Sequence, residues 1–477
     1  MSTAPSAITQ RALPKWYEDA KFGVFIHWGI YSVPSFAPKQ KNVVELLKNN
    51  FDTIQANLPY VEFYPQAMRI EGSPTHKHHQ ETYGPDVTYE RDFRSTFEQQ
   101  LEGFDAREWA KAFKAAGARY VVMVTKHHDG YVMYPTNVEN PKRPGFHAPR
   151  DLVGELAAAV RAEGMRFGIY YSGGLDWTWS NINLRSLADI FASMLTDKAY
   201  NAYVDAHYRE IIERYEPCAL WNDISYPTER GLHQLVADYY KAVPDGVVND
   251  RWHPAGMINA LFRPKPMRAL ANFLGKRLMN TFDGTFVGPQ LDFADFRTPE
   301  YSTFDDIQSD KFEMTRGMGH GFGHNHTETD DDLISPREIV QGFVDGVSKN
   351  GNWLLNVGPD GHGKIPDIQM SRLEAMGQWM QANGEAIYDT RPWKRAQGTS
   401  AEGHELRFTQ KNGDLYITVF DPGKGPITLT DITADAAKVS ILGGLDVNVS
   451  SNGNALLLTL PGQLKTAALS LKIEGGA

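Results

Sequence analysis

Asp105-Ala106-Arg107-Glu108-Trp109-Ala110-Lys111-Ala112-Phe113-Lys114-Ala115-Ala116-Gly117, followed at once by Tyr120-Val121-Val122-Met123-Val124-Thr125-Lys126-His127-His128-Asp129-Gly130, decides how this chain is read. In the first half, Trp109, Ala112, Phe113 and Ala116 recur at the spacing of one helical face. Asp105 and Glu108 stand three apart as a capping box, and Gly117 is placed to stop the helix. In the second half a continuous apolar run predicts a strand buried on both faces, and it ends in a cluster of polar side chains.

The unit repeats along the chain. Asp151 caps a predicted helix carrying Leu152, Leu156 and Val160; Gly164 ends it, and Phe167–Tyr171 is the next strand. A helix around Ile211 and Ile212 leads through Pro217 to the strand Cys218–Trp221. Ser335, Pro336 and Glu338 open a helix through Val347, and Trp353–Val357 follows as a strand. Such alternation suits a (β/α) barrel or an open doubly wound sheet. No Gly-rich dinucleotide fingerprint follows any strand. Instead His27, His127 with His128, Tyr171, Asp223, and Asn249 with Arg251 fall at the C-terminal ends of strands, where a TIM-type barrel carries its site. The barrel is the preferred reading.

After Trp393 the pattern changes to short β-rich runs: Glu405–Thr409, Leu415–Phe420, Ile427–Leu429, Val439–Leu442, Ala455–Leu460 and Ala467–Ile473. Turn pairs such as Asn412-Gly413 and Asn452-Gly453 separate them. The expectation is a barrel domain over residues 1–392 and a small antiparallel β-sandwich over residues 393–477. Residues 253–290 read as irregular, with interspersed basic and apolar side chains. A lid and an oligomer contact are open readings, with a plain surface excursion preferred.

Composition bounds the chemistry. The 477 residues carry a formal net charge of −10, which argues against nucleic acid as a partner. No apolar run is long enough to span a bilayer. No secretory signal is visible, so the expected location is cytoplasmic, or periplasmic or secreted if a leader was removed. The single cysteine, Cys218, forbids an internal disulfide and reads as a buried thiol. Aromatic residues reach 12%, somewhat rich, as suits both a large core and a sugar site.

Two carboxyl groups are the requirement for cleaving a glycoside. Asp223, at the end of Cys218-Ala219-Leu220-Trp221-Asn222, is the best nucleophile candidate, against the bland reading of a strand-end cap. Glu300, in Asp295-Phe296-Arg297-Thr298-Pro299-Glu300-Tyr301, is the best acid/base candidate. Glu313 is its rival, and spacing alone does not separate them; Glu62 also falls within reach of a sugar. The His127-His128 pair, with His320, His324 and His326, raises a metal site, but the further strand-end ligands of a barrel metallohydrolase are missing. No metal and no cofactor is therefore expected. His27, His127 and His128 read as partners of sugar hydroxyls, since imidazole both donates and accepts.

At these residues the chain resembles the α-L-fucosidases of glycoside hydrolase family 29. The matching motifs are Trp16-Tyr17 through Lys21-Phe22-Gly23-Val24-Phe25-Ile26-His27-Trp28-Gly29, Lys126-His127-His128-Asp129-Gly130, Gly168-Ile169-Tyr170-Tyr171-Ser172-Gly173-Gly174, and Leu220-Trp221-Asn222-Asp223. Val248-Asn249-Asp250-Arg251-Trp252, Thr298-Pro299-Glu300-Tyr301, Phe312-Glu313 with Gly321-Phe322-Gly323, and Gly351 through Pro359 follow in the family's order. The resemblance implies a distorted (β/α) barrel and a retaining double displacement on terminal α-L-fucose of oligosaccharides or glycoconjugates. Asp223 matches the family nucleophile and Glu300 the acid/base of members with a Thr-Ala/Pro-Glu-Tyr motif. His27, His127, His128, Tyr171, Trp221 and Arg251 match residues that hold the sugar. Glu62 and Phe63 match a Glu-Trp pair of the same pocket, and Phe322 an aromatic under the sugar's methyl group. Phe63 in place of Trp, His324 where Tyr is common, and a longer 253–290 segment depart from the pattern. An inactive carbohydrate binder on the same scaffold, and a related pyranoside as substrate, are the alternatives; the 253–290 segment and the β-domain each offer surfaces for a homo-oligomer.

Overall fold

The computed structural model describes residues 6–40, 46, 53–256, 259, 261–279 and 291–477. Seven parallel strands form one curled sheet: β1 (Phe22–Ile26), β2 (Tyr120–Lys126), β3 (Arg166–Ser172), β4 (Ala219–Asp223), β5 (Val247–Val248), β6 (Phe312–Gly317) and β7 (Gly351–Val357). Their spatial order is β5-β4-β3-β2-β1-β7-β6. The two edges are joined by residues 296–300, which stand where an eighth strand would. Asn249 bridges Phe296, Arg297 bridges Phe312, and Glu300 bridges Thr315, all in the parallel sense. The sheet thus closes into a TIM-like barrel with one thin seam.

Helices cover the outside for the reasons the sequence suggested. The helix Ala106–Ala115 buries Ala106, Trp109, Ala110 and Phe113. Asp105 caps it by accepting from the Arg107 N–H, one residue earlier than a capping box requires. Gly117 takes φ +92 to leave it, and a Cβ there would lie 2.8 Å from the Tyr388 hydroxyl, so glycine serves both turn and packing. The helix Pro336–Ser348 does carry the full box between Ser335 and Glu338.

Strand side chains alternate between two cores. Phe25, Tyr120, Val122, Val124, Tyr170, Ala219, Trp221 and Leu354 fill the barrel interior. Val24, Ile26, Val121, Met123, Ile169, Tyr171, Leu220 and Leu355 face outward, into the layer beneath the helices. This period of two settles which strand-end residues reach the mouth.

The β-rich tail is built as expected in type: a five-stranded antiparallel sheet and a three-stranded one. Strand β8 (Arg391–Thr399) is followed by β9 (Glu405–Lys411), β10 (Asp414–Phe420), β11 (Pro426–Leu429), β12 (Val439–Ile441), β13 (Asn448–Asn452), β14 (Ala455–Thr459) and β15 (Ala468–Ile473). Their inner faces share a core of Trp393, Phe408, Ile417, Ile427, Leu456, Leu458 and Leu471. Arg407 fastens this unit to the barrel helices through Asp345 at 2.5 Å, and the Trp379 indole donates to the Ala468 carbonyl at 3.0 Å.

One departure concerns the stretch read as irregular. It contains a helix, Lys265–Met279. Pro264 and Pro266 disguise its start, although proline suits a first turn, where no intrahelical N–H partner is needed. Residues 257, 258, 260 and 280–290 of that stretch lie outside the described residues.

Candidate active site

Asp223 ends β4, and the chain turns sharply after it. Ile224 and Ser225 both take left-handed conformations, φ 46 and φ 76, which is costly for a β-branched residue. The turn is tied down by Asn222, whose Nδ2 donates to the carbonyls of Ser225 (2.9 Å) and Arg251 (2.7 Å). Gly174 allows the close approach: a Cβ there would sit 2.1 Å from the Ile224 carbonyl oxygen. This arrangement turns the Asp223 carboxylate toward the barrel mouth.

The Asp223 side chain is 12% exposed. Its Oδ2 accepts from the Tyr170 hydroxyl at 2.8 Å and its Oδ1 from Arg251 Nη1 at 3.0 Å. His128 Nε2 lies 3.7 Å from Oδ2. Burial by itself pushes the Asp223 pKa up. The Arg251 cation, with lesser help from the Tyr170 hydroxyl, overrides this and holds it below the ordinary carboxylate value.

Arg251 organises the site. Its Nη2 reaches Glu300 Oε1 at 2.6 Å while Nη1 holds Asp223. Its Nε donates to Thr298 Oγ1 at 2.8 Å, and the guanidinium lies over the Trp221 ring, 4.7 Å from its centroid. Asp223 and Glu300 therefore lie no farther apart than one guanidinium fork and two hydrogen bonds. Glu300 stands on the closing segment, its side chain 34% exposed, and Tyr301 after it is left-handed, φ 50. Both candidate carboxylates thus precede a left-handed turn.

The histidines are neutral acceptors. Asn356 Nδ2 donates to the Phe322 carbonyl, so Asn356 Oδ1 accepts from His27 Nδ1 at 2.6 Å, leaving His27 Nε2 as an acceptor. Likewise Ser172 Oγ donates to the Leu175 carbonyl and accepts from His128 Nδ1 at 2.6 Å, so His128 Nε2 faces Asp223 with a lone pair. Burial depresses both rings, to about 4 for each. Burial, with His128 beside it, also pushes His127 well down. Two acceptors facing one space suit a ligand rich in hydroxyl donors.

The remaining wall is aromatic. The ring centroids of His27 and Phe322 lie 4.8 Å apart, those of His127 and His128 4.1 Å, and those of Phe63 and His128 5.6 Å. Glu62 is buried, with one oxygen bonded by the Gly323 N–H and the other without a partner among the described residues. Burial raises it to about 7, against the pull of those backbone donors.

Asp223, Glu300, His27, Glu62, Phe63, His127, His128, Trp221, Arg251 and Phe322 are thus neighbours in one constellation. Two expected residues are not at the mouth. Tyr171 faces outward, its hydroxyl 2.8 Å from His207 Nδ1. Its neighbour Tyr170 takes the inward position, in register with Trp221, and the sequence reading missed it. Glu313 is 1% exposed and lies inside the barrel beneath Trp221. It accepts from Tyr17 (2.8 Å), Tyr120 (2.5 Å) and the Trp221 indole (3.1 Å). Trp177, packed 5.3 Å from Phe63, and Tyr60, 6.2 Å from Phe322, were also missed; neither stands at a strand end. Among the described residues, no group of three or more His, Cys, Asp or Glu could hold a metal ion, and no helix is long and apolar enough to cross a membrane.

Comparison with known proteins places the chain among its relatives. A family model described as alpha-L-fucosidase matches residues 2–385. The chain is 30% identical to an alpha-L-fucosidase of Dictyostelium discoideum, over 95% of this chain and 90% of that protein. It is also 30% identical to the tissue alpha-L-fucosidase of Bos taurus, over 97% of this chain and 87% of that one. A solved structure of Thermotoga maritima alpha-fucosidase in complex with fucose superimposes with a TM-score of 0.78 at 36% identity, covering 98% of both chains. Fold, site and relatives together establish that the chain belongs to the α-L-fucosidase family of glycoside hydrolases.

Proposed function

We propose that this chain is a retaining, exo-acting α-L-fucosidase that releases terminal α-L-fucose from oligosaccharides or glycoconjugates by double displacement. Asp223 attacks C1 while Glu300 gives its proton to the departing glycosidic oxygen, so a C1–Oδ bond forms as the C1–O bond breaks. Glu300, now a carboxylate, takes a proton from water. The water oxygen attacks C1, Asp223 leaves, and fucose is freed with its anomeric configuration kept.

The observation that carries this reading is the single guanidinium of Arg251, joined to Asp223 at 3.0 Å and to Glu300 at 2.6 Å. It brings the two carboxyls to opposite arms of one guanidinium, a separation compatible with the about 5–5.5 Å of retaining enzymes. The acceptor faces of His27 and His128 and the free oxygen of Glu62 would take sugar hydroxyls and orient C1. Phe322 and Phe63 offer an apolar wall for a methyl group. The complex of the Thermotoga maritima enzyme with fucose supports the choice of sugar.

Proton NMR of 4-nitrophenyl α-L-fucoside hydrolysis tests it. α-L-fucose is expected as the first product, mutarotating afterwards to the β anomer. β-L-fucose appearing first would show inversion and end the double-displacement reading. No release of 4-nitrophenol would favour an inactive carbohydrate binder.

A further inference from the structure

Among the described residues one ion pair has both side chains wholly buried, and the proposed chemistry makes no use of it: Lys126 Nζ and Asp176 Oδ2, 3.1 Å apart. Such a pair gains little net stability, because burial strips both charges of water, so a role in fixing conformation is the one to seek.

Lys126 ends β2 beside a bulge. Val124 pairs with Tyr170 and Lys126 with Tyr171, so Thr125 is one residue too many for the ladder. Side chains alternate along a strand. Counted from the inward Val124, a regular strand would send Lys126 inward and His127 out. The bulge reverses this. Lys126 lies outside with Tyr171, its Nζ 4.7 Å from that ring's centroid. His127 lies inside, stacked on Tyr170 with centroids 5.5 Å apart.

Asp176 ties this strand end to the loop after β3. Its Oδ1 accepts from the Thr178 N–H at 2.9 Å and from the Thr178 hydroxyl at 2.5 Å. The turn after the histidines closes on the same oxygen: Gly130 takes φ +81, and a Cβ there would lie 2.6 Å from Asp176 Oδ1. The Trp177 N–H donates to the His128 carbonyl at 2.8 Å, and the Trp177 ring packs on His128 and Phe63. One buried pair thus joins the loop bearing His127 and His128 to the loop bearing Trp177.

The two members act differently on the histidines. Burial depresses the His128 ring, Asp223 pulls it up, and the Lys126 cation pushes it down again. The charged and titratable groups facing His128 are Asp223 from β4 with Arg251 behind it, Lys126 and His127 from its own strand end, and His27 from β1.

We propose that Lys126 and Asp176 are a positioning pair for the sugar site, locking the bulge in β2 so that two consecutive histidines both reach the mouth. This rests on the reading of His127 and His128 as partners of sugar hydroxyls. Hydrolysis of 4-nitrophenyl α-L-fucoside by the full chain across acid and neutral pH tests it, with L-fucose as competitive inhibitor and thermal unfolding alongside. Lys126→Met and Asp176→Asn are each expected to lower kcat/KM about 10-fold or more, mostly through a higher KM, and to raise the inhibition constant of L-fucose in step. Only Lys126→Met should also move the acid limb of kcat/KM to higher pH, since it alone removes the cation beside His128. The double variant leaves no buried charge without its partner. It is expected to unfold at a higher temperature than either single variant and yet to keep the low kcat/KM; it also carries the test if a single variant does not fold. Recovery of kcat/KM together with stability in the double variant would overturn the proposal and make the pair merely structural. Wild-type KM and fucose inhibition in both single variants would overturn it too. A wild type without fucosidase turnover would sink the functional reading, and this inference with it.

Discussion

Two carboxylates inside this barrel, Asp223 at the mouth and Glu313 below Trp221, are both buried and both fully hydrogen-bonded, yet they are driven in opposite directions. Burial dominates at Glu313 and lifts it to about 7, because its three partners are neutral hydroxyl and indole groups. Asp223 is held low because one of its partners is a cation. Hydrogen bonds from phenols solvate a carboxylate in part; a guanidinium 3.0 Å away reverses the sign. The residue suited to remain an anion in a dry pocket is the one given the charged neighbour.

The sharpest way to break this contrast is at Asp223. Asp223→Gly is expected to lower kcat on an aryl fucoside by about 10^4-fold or more, with azide restoring turnover as fucosyl azide. Near-wild-type activity would remove Asp223 from the chemistry.

Glu300→Ala comes next. A loss of about 10^2- to 10^4-fold is expected for substrates with poor leaving groups, and a much smaller one for 4-nitrophenyl fucoside. If Glu313→Ala gave that pattern instead, the acid would have been misassigned.

Tyr170→Phe deletes one bond to the charged Asp223 and is expected to cost about 10-fold or more in kcat/KM, while Tyr171→Phe leaves kcat/KM unchanged. The reverse result would contradict the inward placement of Tyr170.

The last prediction concerns Glu313→Gln, and its readout is stability. A carboxyl raised to about 7 in the folded chain binds a proton that the unfolded chain has lost between about pH 4.5 and 7. Its contribution is present below pH 4.5 and disappears as pH rises through 7. Urea unfolding from pH 4.5 to 8 should show the wild type losing about 3 kcal/mol relative to Glu313→Gln. Parallel pH profiles for the two proteins would mean that Glu313 is not raised.

Much of this arrangement was legible in the residues. Helix faces such as Trp109 with Phe113, and apolar strands such as Tyr120–Thr125, announce a barrel because burial imposes their periods. Strand-end placement and the family resemblance together named ten side chains that the fold brings to one mouth. What stayed hidden depends on phase and depth. Tyr170 and Tyr171 are chemically identical and adjacent, and only the register with β4 shows which faces inward. Glu300 and Glu313 both follow apolar or stiffened stretches, and nothing local reveals that one lies on a seam and the other under a tryptophan. The helix Lys265–Met279 was obscured by the prolines at its start and by the basic side chains set among its apolar ones.

The closing segment 296–300 has a mechanical consequence. Neighbouring β-ladders such as β1 with β7 or β6 with β7 run five or six residue pairs, whereas the seam is stitched by three isolated ones. Glu300, the proposed acid/base, therefore rides on a thinly fastened stave of the cask, while Asp223 is fixed in a strand joined to β3 by four pairs. Parting of that stave would disarm the pair by distance alone, with the rest of the wood intact, and amide exchange should find Tyr301 and Thr315 releasing their protons before Val122 or Leu220.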